Sequence, residues 1–339
     1  MEIKKRNYLT YILLVVIIIL IIMNFILMEN QRAKPATKEI IKEYEVSSFN
    51  SDLARIIEES SDKLVTINNN EDDITGIIYD YLEENGLATI VSINSNKEPA
   101  LITFSNGVSA TATPITLNNP FNIAIYQIPV DFRVTPFNRG DSELTKKGQQ
   151  VVTLNKTNDY RESFDSFVTF INKDRIYDDK LITTSVNLSF DSSLKGAPVI
   201  NAAGELIGIS KGDNTDIYLP INLINIIVDQ NLNEQKDVNK IELGLSFYEI
   251  VKMPVYLRSQ LDIELSHTDG IYIDEVHSNS IAFNLGILQG DIIKEINDRS
   301  ISTVYDFYSA IYSIENIDDI KMKVQRGENE ISLESQGNQ

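Results

Sequence analysis

Between residues 66 and about 210 the sequence holds no periodicity for long: short β-type runs alternate with turn residues. Gly76-Ile77-Ile78-Tyr79, Ala88-Thr89-Ile90-Val91, Ala100-Leu101-Ile102-Thr103-Phe104, Ile123-Ala124-Ile125-Tyr126, Gln150-Val151-Val152-Thr153-Leu154 and Pro198-Val199-Ile200 are such runs. Asn-Gly, Gly-Asp and Ala-Gly pairs punctuate them. Runs this short and rich in β-branched residues suit pleated strands and are too brief for a helical stripe. They predict an all-β sandwich or a pair of barrels.

Helical spacing appears on either side of this region. Leu53, Ile56, Ile57 and Leu64 predict a helix over residues 51–65, capped by Ser51 or Asp52. Residues 220–229 are apolar at helical spacing and close the β region, and residues 231–240 read as a polar linker. From Ile241 onward the pattern predicts strands around one amphipathic helix over residues 304–313.

Upstream, residues 7–28 carry no charge and residues 12–22 are an unbroken apolar run. As a helix, residues 8–28 would measure about 31 Å at ~1.5 Å per residue, enough to cross a hydrocarbon core. Lys4, Lys5 and Arg6 precede the run, and Tyr8 and Tyr11 stand at its entrance, as at a cytoplasmic interface. Glu29-Asn30-Gln31-Arg32 offers no small-residue cleavage site, which favours an uncleaved anchor over a signal peptide. Arg32, Lys34, Lys38 and Lys42 nearly balance the flanking charge. The simpler arrangement keeps the short N-terminal tail in the cytoplasm and the large domains outside. Residues 29–50, with Pro35 as a helix breaker, read as a stalk.

The 339 residues leave room for about two domains. Acidic residues number 49 against 30 basic, a formal charge of −19, which repels nucleic acid. With no cysteine there is no disulfide, thiol nucleophile or thiolate metal site. His267 and His277 are the whole imidazole supply.

Two stretches carry a family likeness. Gly196-Ala197-Pro198-Val199-Ile200-Asn201-Ala202-Ala203-Gly204-Glu205-Leu206-Ile207-Gly208-Ile209 resembles the segment that follows the nucleophile in HtrA/Deg proteases, and Leu219-Pro220-Ile221 resembles the family's later Ile-Pro and helix. Phe104-Ser105-Asn106-Gly107, Asn122-Ile123-Ala124-Ile125 and Gly140-Asp141-Ser142 are similar to further family motifs. The second stretch resembles an HtrA-type PDZ domain. It comprises Leu243-Gly244-Leu245, Gly270-Ile271-Tyr272-Ile273, Gly286-Ile287-Leu288-Gln289-Gly290-Asp291-Ile292-Ile293, Ile296-Asn297 and Arg326-Gly327. Gly290-Asp291 turns into a strand, and Asn297-Asp298 forms a hairpin turn.

Together with the apolar run, the resemblance implies a mostly β fold: an N-terminal transmembrane helix, a trypsin-like double β-barrel, and a PDZ domain with one or two helices. The expected division is 1–28 for tail and anchor, 29–50 for the stalk, 51–232 for the trypsin-like domain and 233–339 for the PDZ domain.

A serine triad needs a hydroxyl, an imidazole to take its proton and a carboxylate to orient the imidazole. Mapped through the family motifs, the nucleophile's place is Lys195, the histidine's is Ser92 or Ile93, and the aspartate's is Asn122. No histidine precedes His267, whatever the alignment. A Ser–Lys pair of Ser192 or Ser193 with Lys195 is the remaining route to amide hydrolysis, but adjacent residues rarely face each other, and a solvated lysine is the simpler reading. Asn68-Asn69-Asn70-Glu71-Asp72-Asp73 is oxygen-rich but lacks calcium-loop spacing. Asp178-Asp179 and Asp318-Asp319 read as turns, and His267 and His277 as surface residues of the PDZ part. No cofactor or metal is implied.

In a PDZ domain a peptide C-terminus adds a strand to a sheet edge and backbone N–H groups catch its carboxylate. The resemblance places that loop at Glu242-Leu243-Gly244-Leu245, with Glu242 standing where the family often has an aromatic residue. The expected function is a membrane-anchored pseudoprotease, an adaptor or regulator in envelope protein quality control. Its partners would be protein C-termini or unfolded polypeptides, an active protease or another membrane protein. Family members often form trimers. The rivals are an endopeptidase with non-standard catalytic residues and a structural subunit of a hetero-oligomer.

Overall fold

The computed structural model describes residues 46–69, 73–94, 97–118, 121–156, 161–171, 176–177, 184–234, 241–264 and 267–335, together with Met23. Among the described residues no helix is long and apolar enough to cross a membrane. The predicted span at 7–28 lies outside them apart from Met23, as do most of the stalk and Asp178-Asp179.

Seven antiparallel strands form a first sheet in the order Ser109–Ala112, Ala100–Thr103, Leu64–Asn68, Asp73–Leu82, Leu87–Ile93, Ile123–Pro129 and Thr116–Asn118. Six more close into a barrel: Thr184–Phe190, Thr215–Pro220, Leu206–Ser210, Pro198–Asn201, Gln150–Lys156 and Arg161–Ile171. Each has its own apolar filling. Val65, Ile67, Ile78, Ile90, Ile102 and Tyr126 pack inside the first, and Val151, Val168, Val186, Phe190, Val199 and Tyr218 inside the second. The alternation of these residues along their strands is the period-2 signal read from the sequence.

A third sheet runs Ile176–Tyr177, Leu245–Glu249, Ile271–Val276, Ile292–Ile296, Lys321–Arg326 and Asn329–Glu334, with Arg299–Ser300 paired to Ile292–Ile296. Asn297 and Asp298 have φ of 46° and 61°. That is the conformation a two-residue hairpin turn demands and that Asn and Asp tolerate. The helix Val304–Tyr312 begins in a capping box: the Thr303 hydroxyl accepts from Asp306 N while the Asp306 carboxylate accepts from Thr303 N.

Several expectations are corrected. The first helix is Val46–Ser61, beginning inside the predicted stalk, and Leu64 belongs to the strand Leu64–Asn68. Val65 and Thr66 are β-branched and pair with Gly76 and Thr75, so a ladder takes over where helical spacing extended. The helix Ile221–Glu234 runs into the predicted linker, because Asn231 is fully buried and its side-chain amide donates to Ile227 O at 2.7 Å. The PDZ part has two further short helices, Val255–Gln260 and Ile281–Leu285, where one or two helices in all were expected. Asp318-Asp319 does lie in a turn, Ile317–Asp319, capped by the Asn316 side chain.

The helix Ile221–Glu234 bridges the barrel and the PDZ part. Its Leu223, Ile224, Ile227 and Val228 share one buried cluster with Leu206 and Ile209 on the barrel side and Phe307, Ile311 and Tyr312 on the other. Gln230 Nε2 donates to Ser309 O at 2.7 Å, and the Phe121 ring meets Tyr312 edge-on at 5.5 Å.

Candidate functional site

Two places are candidates: the turn at Lys195 and the PDZ groove. The turn begins at Asp191, whose carboxylate caps the short 3-10 helix Ser192–Leu194. It accepts from Ser193 N at 3.0 Å and from Ser193 Oγ at 2.5 Å. Asp followed by two serines is an N-cap signal, so this turn was locally encoded, although Asp191 was not singled out from sequence. Lys195 follows, half-buried, with its N–H donating to Ser192 O at 3.2 Å and its C=O accepting from Thr75 N at 3.2 Å.

Gly196 has φ of 77°. A Cβ there would overlap Thr75 O and lie 2.6 Å from Ser92 Oγ, so only glycine lets this turn approach the first sheet. Ser92 is fully buried and its hydroxyl donates to Thr75 O at 2.6 Å. The structure thus brings Ser92 and the Lys195–Gly196 turn together around Thr75. Ile93 points the other way, into the apolar core.

Asn122 sits in an exposed turn just before the strand Ile123–Pro129, with φ of 55°. Its carbonyl accepts from Asn94 N at 2.6 Å. The surrounding seam is polar and buried: Thr75 Oγ1 donates to Asn155 Oδ1 at 2.8 Å, and the buried Lys156 Nζ donates to Leu64 O at 2.9 Å. Sequence reasoning missed Thr75, Asn155 and Lys156, since contacts across two sheets leave no local pattern.

In a working triad enzyme the developing oxyanion is held by the N–H of the nucleophile and that of the residue two positions earlier. On the mapping expected from the sequence, the corresponding groups would be Lys195 N and Ser193 N. Both already donate, one to Ser192 O and the other to the Asp191 carboxylate. Both histidines lie in the PDZ part, His267 half-buried and His277 exposed.

The PDZ groove is built on the strand Leu245–Glu249 and the helix Val304–Tyr312. Phe247 and Phe307 meet at 4.9 Å between ring centroids, and Val304 N donates to Glu249 Oε2 at 3.3 Å. The predicted loop precedes the strand. Leu243 and Leu245 are fully buried, Glu242 is exposed, and Gly244 has φ of 78°. The Gly244 carbonyl accepts from His277 N at 2.9 Å and the Leu243 carbonyl from Ala282 N at 2.9 Å, which ties the loop to the helix Ile281–Leu285.

Glu249 is buried beside this groove. Burial pushes its carboxyl up, partly offset by Lys252, whose Nζ lies 2.8 Å away and also pairs with Glu143 of the barrel. Further along, Asp291 is fully buried and accepts from Arg326 Nε at 2.7 Å and Nη2 at 2.8 Å, a two-pronged pairing that fixes the turn after Gly290.

The sequence of residues 242–335 matches the PDZ domain model. The chain is 23% identical over 280 residues to the serine protease Do-like HtrA of Lactobacillus helveticus, covering 76% of this chain and 67% of that protein. It is 26% identical over 260 residues to the serine protease Do-like HtrB of Bacillus subtilis, covering 70% of this chain and 56% of that one. Other HtrA-like relatives are longer, the chain covering 46% of that from Staphylococcus haemolyticus and 33% of that from Staphylococcus aureus. Among solved structures, the HtrA-type protease AlgW with a decapeptide superposes with a TM-score of 0.52 at 13% identity, over 83% of this chain and 96% of that chain. The same protease with a tripeptide gives 0.54 at 16% identity, over 83% and 95%. With trypsin-like barrels followed by a PDZ domain, the chain is similar in sequence and fold to HtrA-type serine proteases.

Proposed function

We propose that this chain is a non-hydrolytic HtrA-family protein whose PDZ groove captures protein C-termini or unfolded polypeptide. It would act as an adaptor or regulator in envelope protein quality control, anchored by residues 7–28 with its folded part outside the cytoplasm. One observation carries the reading: the turn at Lys195 has no imidazole to serve it and no oxyanion donor left open. A lysine at the nucleophile's place forms no acyl ester, and nothing upstream of His267 can take a proton as histidine does. The structures of AlgW with a decapeptide and with a tripeptide support a peptide-binding role for the PDZ part.

The test is to expose the full chain to a fluorophosphonate probe and to unfolded casein. The expected outcome is no labelling and no cleavage. Labelling that vanishes in Ser192→Ala or Ser193→Ala would replace this reading with that of an endopeptidase using non-standard residues.

A further inference from the structure

The edge of the PDZ sheet where a peptide would add its strand is not bare. The strand Ile176–Tyr177, from the segment between two barrel strands, pairs antiparallel with Leu245–Glu249, Ile176 opposite Phe247 and Tyr177 opposite Ser246. The other edge of Leu245–Glu249 is taken by Ile271–Val276, so both edges are used. Ile176 is 3% exposed and belongs to the same buried cluster as Leu243, Leu245, Phe247 and Phe307.

The direction of the inserted strand is informative. From Ile176 to Tyr177 it runs toward Ser246 and hence toward the loop at Glu242-Leu243-Gly244-Leu245. A captured peptide must run the same way, antiparallel to the strand, to deliver its carboxylate to that loop. Ile176 therefore fills an apolar position that an incoming side chain needs, and its backbone uses ladder positions that an incoming strand needs.

We infer that Ile176–Tyr177 is a built-in competitor for the PDZ groove, resting on the peptide-binding reading above. A partner must be an extended polypeptide presenting an aliphatic side chain opposite Phe247, and it binds by displacing this strand. Displacement couples the groove to the barrel, because the displaced strand lies between the barrel strands Arg161–Ile171 and Thr184–Phe190. The apparent affinity is lowered by the fraction of chains with the groove open.

Two measurements on the full chain test this, comparing the native sequence with Ile176→Asp. The first is binding of a fluorescein-labelled hexapeptide with the sequence of residues 172–177 and a free C-terminal carboxylate. Ile176→Asp should bind it about tenfold more tightly or better. The second is amide hydrogen exchange, which needs no ligand. The variant should lose protection in Leu245–Glu249 and keep it in Ile292–Ile296, which also reports that the PDZ part remains folded. Equal peptide affinity in the two chains would overturn the competitor while leaving peptide capture standing. Absence of binding in both, with protection lost in the variant, would keep the competitor and sink peptide capture. Unchanged exchange would overturn the competitor regardless of binding. Ile176→Ala, which creates no charge, should shift both readouts in the same direction by a smaller factor.

Discussion

Replacing Gly244 by alanine should damage the peptide loop by two separable amounts. The first is conformational: φ is +78°, and an L-residue there costs about 1–2 kcal/mol. The second is steric. A Cβ on Gly244 would overlap Ser280 Cβ and lie 2.9 Å from Ser280 Oγ. Ser280 cannot swing aside freely, since its Oγ accepts from Phe283 N at 3.1 Å as the cap of Ile281–Leu285. Forcing an extra methyl into such a contact costs roughly 1–3 kcal/mol. The sum is roughly 2–5 kcal/mol lost from the PDZ part. Adding Ser280→Gly removes the overlap at a cost of only a few tenths of a kcal/mol, roughly that of glycine at an N-cap. The double variant should therefore be more stable than Gly244→Ala alone. Urea titration read by hydrogen exchange over residues 243–249 and 281–285 measures each amount locally, which suits a chain with no tryptophan. If Gly244→Ala is as stable as the native chain, or if Ser280→Gly recovers nothing, the assignment of this loop geometry is refuted.

Two further outcomes follow from buried charges. Arg326→Ala should cost about 3 kcal/mol, because it strands the fully buried Asp291 carboxylate with Leu288 N as its remaining donor. A thermal melt detects it, and a loss below about 1 kcal/mol would contradict the pairing. Glu249 is an acid whose folded pKa is raised. Its contribution to stability is present below the ordinary glutamate range and lost as pH rises through the raised value. Glu249→Gln should therefore gain stability relative to the native chain as pH rises above the ordinary glutamate range, and parallel dependences of melting temperature on pH would rule the shift out.

How much was legible in the sequence depended on how local the cause was. Asn297-Asp298 was readable because a two-residue turn needs positive φ at both positions, and few residues accept it. The helix Val304–Tyr312 was readable from its apolar spacing. Leu64 was misassigned because helical spacing continued past the helix end, while the pairing of Val65 and Thr66 with Gly76 and Thr75 decided the local structure. At the Lys195 turn the side-chain identities were plain, whereas the strand register that points the Ser92 hydroxyl at Thr75 and packs Ile93 in the apolar core was not. Ile176 carried no signal at all: its partner, Phe247, lies in another domain, and pairing so distant leaves no periodic trace.

The cap at Asp191 has a bearing on reversibility. Suppose histidine, aspartate and serine were put back at Ser92, Asn122 and Lys195. The acyl oxygen would still meet an N–H already given to a carboxylate and another folded into a 3-10 turn. On the non-hydrolytic reading proposed above, hydrolysis would demand a backbone rearrangement as well as three exchanged side chains. The turn would then oppose hydrolysis through its backbone as well as through its side chains.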